Sequence, residues 1–227
     1  MMSLAAAAGI EVPEIRLVHR DELDGVPARA WPNAEEWAYA IRRFDRDETR
    51  RLVHIEDLAQ VRNFYPERKY DGNYETVAAL IYRRRHTEAL REFVRRLAFC
   101  VLISNGDAHL KNWSLIYRNP RIPTLSPAYD LVATAPYREP LDEPEELGLK
   151  FGKSRRFEAV TLGTFVRLQR CLGAPDADLV DHVAALVKQV QARWPEYAER
   201  LSEAPTIRDS AGVSIEAHSR SLLKGRA

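Results

Sequence analysis

A chain of 227 residues, 45% hydrophobic and 30% charged, holds enough apolar material for one large domain or two small ones. Its 34 basic and 33 acidic residues leave a formal net charge of +1, which excludes an argument for bulk attraction to nucleic acid or to an anionic membrane. No stretch approaches the ~20 apolar residues that span a bilayer, and with no basic segment and too short an apolar run the start is not expected to be a secretory signal. The two cysteines, Cys100 and Cys171, stand singly in apolar helical patterns. They are expected as buried free thiols in a reducing, cytoplasmic setting.

In chain order, MSLAAAAGI reads as the last turns of a helix closed by Gly9, and EIRLVH as a short strand. Residues 21–36 carry Gly25, Pro27 and Pro32 and read as a loop, before a second strand over 37–44 (WAYAIRRF) that pairs with the first as a hairpin. HIEDLAQV and YETVAALIYRRR are expected as helices joined by the loop NFYPERKYDG. The basic clusters YRRRH (82–86) and KSRRF (153–157) read as solvated helix face or loop rather than as phosphate tracks. The strongest helical signal follows: Ala89, Leu90, Phe93, Val94, Leu97, Ala98, Val101 and Leu102 fall on one stripe that ends near 104–106. WSLIY (113–117) predicts a strand, 118–123 a turn, and 124–134 a second strand running into a loop; LDEPEELG reads as an acidic loop. Two helices are expected over TLGTFVRLQRCLG and about 177–201, the second kinked or bounded at Pro195. The tail from Ala204 is polar and is expected to fray.

The stretch SNGDAHLKNWSLIY interrupts this pattern. It places Asn105, Asp107, His109, Lys111 and Asn112 at the end of an apolar helix. If the following hairpin folds back, Asp130 returns to Asn112. Two hard oxygen donors there suit Mg²⁺ on nucleotide phosphates, while Asp107 faces an attacking hydroxyl, as in phosphoryl transfer. Taken singly, Asp107 reads as a turn cap, Asn112 as a turn residue and His109 as a satisfied structural histidine; Lys111 divides evenly between phosphate and solvent. The combination Asp-x-His-x-Lys-Asn, strand, turn, strand, Tyr-Asp carries the functional reading.

NGDAHLKNWSLIY followed by LSPAYDLVAT resembles the catalytic and metal-binding segments of the HipA-like serine/threonine kinase toxins. AAAAGIEVPEIRLV, AYAIRRFDR, HIEDLAQ, ERKYDG and LGLKFG are similar to further segments of that family. The resemblance implies an α+β, mostly helical fold: a partial N-lobe remnant with a hinge strand over 1–50, and a kinase-like helical C-lobe over 51–227. It implies Asp107 as catalytic acid, His109 and Lys111 as active-site supports, Asn112 and Asp130 as magnesium ligands, and the backbone of Arg42, Arg43 and Phe44 as the adenine contact. The cofactors implied are ATP and Mg²⁺. The implied partners are a protein substrate of the aminoacyl-tRNA synthetase kind and a DNA-binding antitoxin; direct nucleic-acid binding and membrane association are not expected. Such kinases carry a phosphate-cradling loop and an ATP-binding lysine ahead of the hinge. The ten glycines here form no such cradle. The chain is therefore expected to be incomplete alone, with a separate N-lobe chain as a possible partner. Its origin as a fragment, split gene or decayed gene stays open. A small-molecule phosphotransferase of the aminoglycoside type and a non-catalytic binding module stand as alternatives.

Overall fold

The computed structural model describes residues 1–31, 35–138 and 145–224. Helix dominates and the strands are short, the α+β architecture expected. α1 (Met2–Ala7) leads into β1 (Ile15–His19), which pairs antiparallel with β2 (Trp37–Ile41), Leu17 opposite Tyr39 and Ile15 opposite Ile41. Because side chains alternate between the faces of a strand, Ile15, Leu17, Trp37, Tyr39 and Ile41 share one face. Leu17, Trp37 and Tyr39 are more than half exposed there. The loop expected at 21–36 contains two 3₁₀ turns, Arg20–Glu22 and Ala28–Ala30; residues 32–34 lie outside the described residues.

Residues 54–61, expected as one helix, divide into β3 (Ile55–Asp57) and the four-residue α2 (Leu58–Val61). Ile55 and Glu56 pair with Ile116 and Leu115, and that ladder claims the segment's start. Asp57 then opens α2 with a capping box. Its carboxylate accepts from the Gln60 N–H at 2.8 Å, and the Gln60 side chain accepts from the Asp57 N–H at 2.9 Å; such a cap contributes about 1 kcal/mol.

α3 (Tyr74–Tyr82) and α4 (Thr87–Leu102) follow, and α4 packs on α3, α6 and α7. The expected stripe of α4 is buried from Leu90 to Leu102, with Ala89 half-buried, and Arg96, Phe99 and Cys100 are buried with it. Each such Phe or Leu contributes roughly 1.5–3 kcal/mol. β4 (Ser114–Asn119) lies between β3 and β5 (Ile122–Leu125). The turn is therefore shorter than expected, and the strand expected over 124–134 stops at Leu125. Ala128 turns its N–H to the Glu11 carbonyl instead, at 2.7 Å.

β6 (Glu146–Phe151) and β7 (Ser154–Arg156) form a hairpin that the sequence pattern does not announce; residues 139–144 of the acidic loop and its approach lie outside the described residues. α5 (Leu162–Leu172) and α6 (Leu179–Glu199) match expectation, with Leu179, Val183, Leu186, Val187 and Val190 buried. Pro195 does not end α6, which continues to Glu199 while Trp194 and Tyr197 pack against the core.

The largest correction is the tail. Pro205–Leu223 form α7, a helix of 19 residues that buries Ala211, Ile215, His218, Ser219 and Leu222. Cys171 is also corrected: it is exposed, whereas Cys100 is buried. Among the described residues no helix is long and apolar enough to cross a membrane.

Candidate active site

α4 ends in a tight reversal. The Asn105 N–H bonds the Cys100 carbonyl at 2.8 Å, and Ser104 between them is left-handed at φ 52°. That conformation is usual for glycine and strained for serine. Contacts from α7 hold it: Ser104 Oγ donates to Ser214 Oγ at 2.9 Å and is bonded to His218 Nε2 at 3.0 Å. Glycine is required two residues on. A Cβ on Gly106 would meet the Glu146 carbonyl at 2.7 Å, and one on Gly148 of β6 would meet the Ala108 backbone at 2.9 Å. The β6 strand therefore lies against the 104–108 loop.

Asp107 emerges from this loop with its side chain 46% exposed. The Tyr70 hydroxyl donates to Asp107 Oδ1, with Lys69 Nζ at 3.8 Å and His109 Nε2 at 3.6 Å from the same oxygen. Burial and the Asp107 carboxylate push the Tyr70 phenol up to about 12, so it remains a donor at neutral pH. His109 is buried with no partner on Nδ1, and burial lowers its pKa despite the nearby carboxylate. It is thus a neutral ring packed edge-on to Tyr70, with centroids 5.2 Å apart.

Asn112 and Asp130 come together across the β4–β5 hairpin. Asn112 Nδ2 donates to Asp130 Oδ2 at 2.9 Å and to the Asp107 carbonyl at 3.1 Å. Asp130 is left-handed, φ 57°. Asn105 Nδ2 donates to its carbonyl at 3.4 Å, and Asn105 Oδ1 accepts from the Asp107 N–H at 3.1 Å. One amide and one carboxylate side by side fit Mg²⁺, which takes oxygen ligands and keeps waters and phosphate oxygens in its remaining positions. Asn112 would present its Oδ1 to a metal while Nδ2 keeps its bond to the Asp107 carbonyl. Among the described residues no group of three or more His, Cys, Asp or Glu is placed to hold a metal.

Arg42, Arg43 and Phe44 leave the end of β2. The Arg42 N–H is engaged by the Glu14 carbonyl at 2.8 Å, whereas those of Arg43 and Phe44 have no backbone partner among the described residues. The Arg43 guanidinium grips Asp45 at 2.8 and 2.6 Å. Phe44 stacks on Tyr129 at 5.7 Å. Tyr129 donates to the Lys111 carbonyl at 2.7 Å, and burial pushes its phenol up to about 12. Residues 41–45, Lys111 and Tyr129 line a cavity of about 350 Å³. A second cavity, about 650 Å³, shares Ile41 and Tyr129 and reaches Asp130 and Tyr39. The sequence-derived residues thus fall into two groups, Asp107–Asn112–Asp130 and Arg42–Phe44 with Lys111, joined through Tyr129. Sequence reasoning gave no role to Lys69, Tyr70, Asn105 or Tyr129. Lys69 and Tyr70 lie inside ERKYDG, which was the available signal.

A hairpin laid against a helical body, with the loop after a buried helix facing a carboxylate–amide pair, is a kinase-like arrangement. The family model for the HipA-like C-terminal domain matches residues 1–194, and the chain belongs to that family. It is 38% identical over 211 residues to a Sinorhizobium fredii protein named "Putative kinase Y4dM", covering 92% of this chain and 50% of that one. A Haemophilus influenzae protein named "Putative kinase" is 33% identical over 147 residues, covering 61% of this chain and 40% of its own length. The chain thus spans half or less of these relatives. In fold it is similar to HipA of Shewanella oneidensis, solved with HipB and operator DNA, at a TM-score of 0.76 and 20% identity over 98% of this chain and 54% of that one. The Helicobacter pylori proinflammatory kinase CtkA has a TM-score of 0.53 at 15% identity, covering 98% and 81%.

Proposed function

We propose that this chain is the catalytic lobe of a HipA-like kinase that transfers the γ-phosphoryl group of ATP, with Mg²⁺, to a serine or threonine hydroxyl of a protein. The observation that carries the reading is Asn112, whose single amide nitrogen ties the Asp107 backbone to the Asp130 carboxylate. In this reading residues 1–50 are the N-lobe remnant with the hinge and 51–227 the C-lobe. The N–H groups of Arg43 and Phe44 meet adenine, and Asn112 and Asp130 hold the metal. Bound there, Mg²⁺ offsets phosphate charge. Asp107 orients the substrate hydroxyl and receives its proton as that oxygen bonds phosphorus and the bond to ADP breaks. The Tyr70 hydroxyl now fills the hydroxyl position on Asp107 and must give way to substrate. His109, neutral and buried, supports that wall, and Lys111 supports the nucleotide side.

The Shewanella HipA complex makes a DNA-binding antitoxin the partner to seek, and the family resemblance makes an aminoacyl-tRNA synthetase the first substrate to test. The test joins this chain to the unmatched half of a longer relative such as Y4dM and follows radiolabelled phosphate from ATP into the chain and into candidate synthetases. Mg²⁺-dependent labelling is expected, with Asp107→Ala reducing it by roughly 100-fold or more. Undiminished labelling in that variant would overturn the role of Asp107, and labelling of an aminoglycoside but no protein would overturn the substrate class.

A further inference from the structure

A cavity of about 790 Å³ is lined by none of the residues given catalytic, metal or hinge roles above. It opens where the end of α1, the N-terminus of α4 and strands β4 and β5 meet. Its lining is cationic beyond what its acids balance. Glu88 is taken by Arg91 at 2.6 Å. Glu92 accepts from Arg96 Nε at 2.8 Å, from Arg95 Nη1 at 3.3 Å and from the Glu11 N–H at 3.1 Å, one carboxylate against two guanidinium groups. Arg85 and Arg118 stand exposed at the rim, with Glu11 the remaining acid.

Two buried polar atoms on this lining have no hydrogen-bond partner: Arg96 Nη2 and His86 Nε2. Arg96 is only 3% exposed. A buried guanidinium N–H without an acceptor is costly, and an anionic oxygen is its natural complement. α4 adds a third feature. His86 at its N-cap makes no side-chain cap bond. The first turn, Thr87, Glu88 and Ala89, lines the cavity, so its free N–H groups and the positive end of the helix dipole face the same space. Arg83 and Arg84, both left-handed at φ 47° and 58°, make the turn that delivers Arg85 and His86 to this place.

We propose that this cavity is a binding site for a small phosphate-bearing molecule, its phosphate seated between the first turn of α4 and Arg96 with Arg85 and Arg118 closing over it. The volume exceeds that of phosphate alone and lies in the range of small-molecule sites. The basic cluster YRRRH thereby has a role as a site wall rather than as a solvated face.

The test is a titration of the chain with inorganic phosphate and, separately, with AMP, at fixed ionic strength against chloride, followed by backbone-amide and arginine side-chain NMR. Saturable shifts at Thr87–Ala89 and at the Arg96 guanidinium are expected for both. Tighter binding of AMP identifies an organic phosphate ester as the ligand; equal affinity identifies free phosphate. The exposed double variant Arg85→Glu/Arg118→Glu should fold normally and weaken binding roughly tenfold or more. Arg96→Gln should abolish it where the variant folds, and Asp107→Ala should leave it unchanged. Shifts no larger than those given by chloride, shifts confined to Asn112 and Asp130, or binding undiminished in the rim variant would overturn the proposal.

Discussion

Asn105 makes two bonds that tie the parts of the candidate site together. Its Oδ1 receives the Asp107 N–H and its Nδ2 reaches the Asp130 carbonyl; it is 1% exposed. Asn105→Ala leaves both backbone groups short of a partner. Unpaired buried groups cost about 1–3 kcal/mol each, and loss of geometry lowers the chemical step more than nucleotide binding. In the chain joined to a relative's unmatched half, kcat should fall roughly 10- to 100-fold while KM for ATP changes little. Steady-state kinetics checks the split. A variant that raised KM alone would place Asn105 in binding instead. The sequence displayed Asn105 but not its task, because a side chain that bonds a backbone group 25 residues further along the chain has no local signature. Asn112 and Asp130 were legible because a hairpin of ordinary length returns the chain to its start.

At the scale of elements, α7 determines whether the loop after α4 keeps its shape, since Ser214 and His218 hold left-handed Ser104. Sequence periodicity missed this helix because its buried stripe is made of Ala211, Ile215, His218, Ser219 and Leu222, three of them small or polar. β3 was missed for a different reason: its partner β4 lies some 60 residues away, and a three-residue strand has no period of its own. α4, α5 and α6 were legible because each carries a full apolar stripe. Burial lowers the pKa of His218, and the same direction holds for His86, His109 and His182. A folded-state pKa below the ordinary 6.5 means that the unfolded chain takes up the proton first as pH falls. This contribution to stability is whole above pH about 6.5 and is lost as pH drops toward the folded-state value. Urea unfolding between neutral and mildly acidic pH should show the loss, and His218→Gln should remove part of the slope. An unchanged slope in that variant would show that His218 takes up its proton equally in both states.

For the molecule as a whole, the β1–β2 hairpin is the clearest sign of how the parts are meant to work. Leu17, Trp37, Tyr39 and Ile41 leave an apolar face open beside the two cavities that meet at Ile41 and Tyr129. The relative Y4dM is twice the span matched here, and its unmatched half, joined to this chain, is expected to pack on this face. The described residues place Asp107 and the Asn112–Asp130 pair together and form no glycine-rich cradle; in the proposed reading Asp107 orients the nucleophile and the pair holds the metal. Phosphoryl transfer depends on positioning the phosphates and offsetting their charge, and loss of one well-placed donor in such a site costs on the order of 100- to 1,000-fold. The 227-residue polypeptide alone is therefore expected to bind Mg²⁺–ATP weakly and to transfer phosphate poorly. Joining it to the unmatched half of Y4dM should restore transfer. It should also bury Trp37, read as a blue shift of its fluorescence, with Tyr39→Ser weakening association when the halves are supplied separately. Full activity from the 227 residues alone would show that the lower half of the cleft suffices. Burial of Trp37 without any restored transfer would leave the hairpin face as an interface and turn the functional reading toward a non-catalytic binding module.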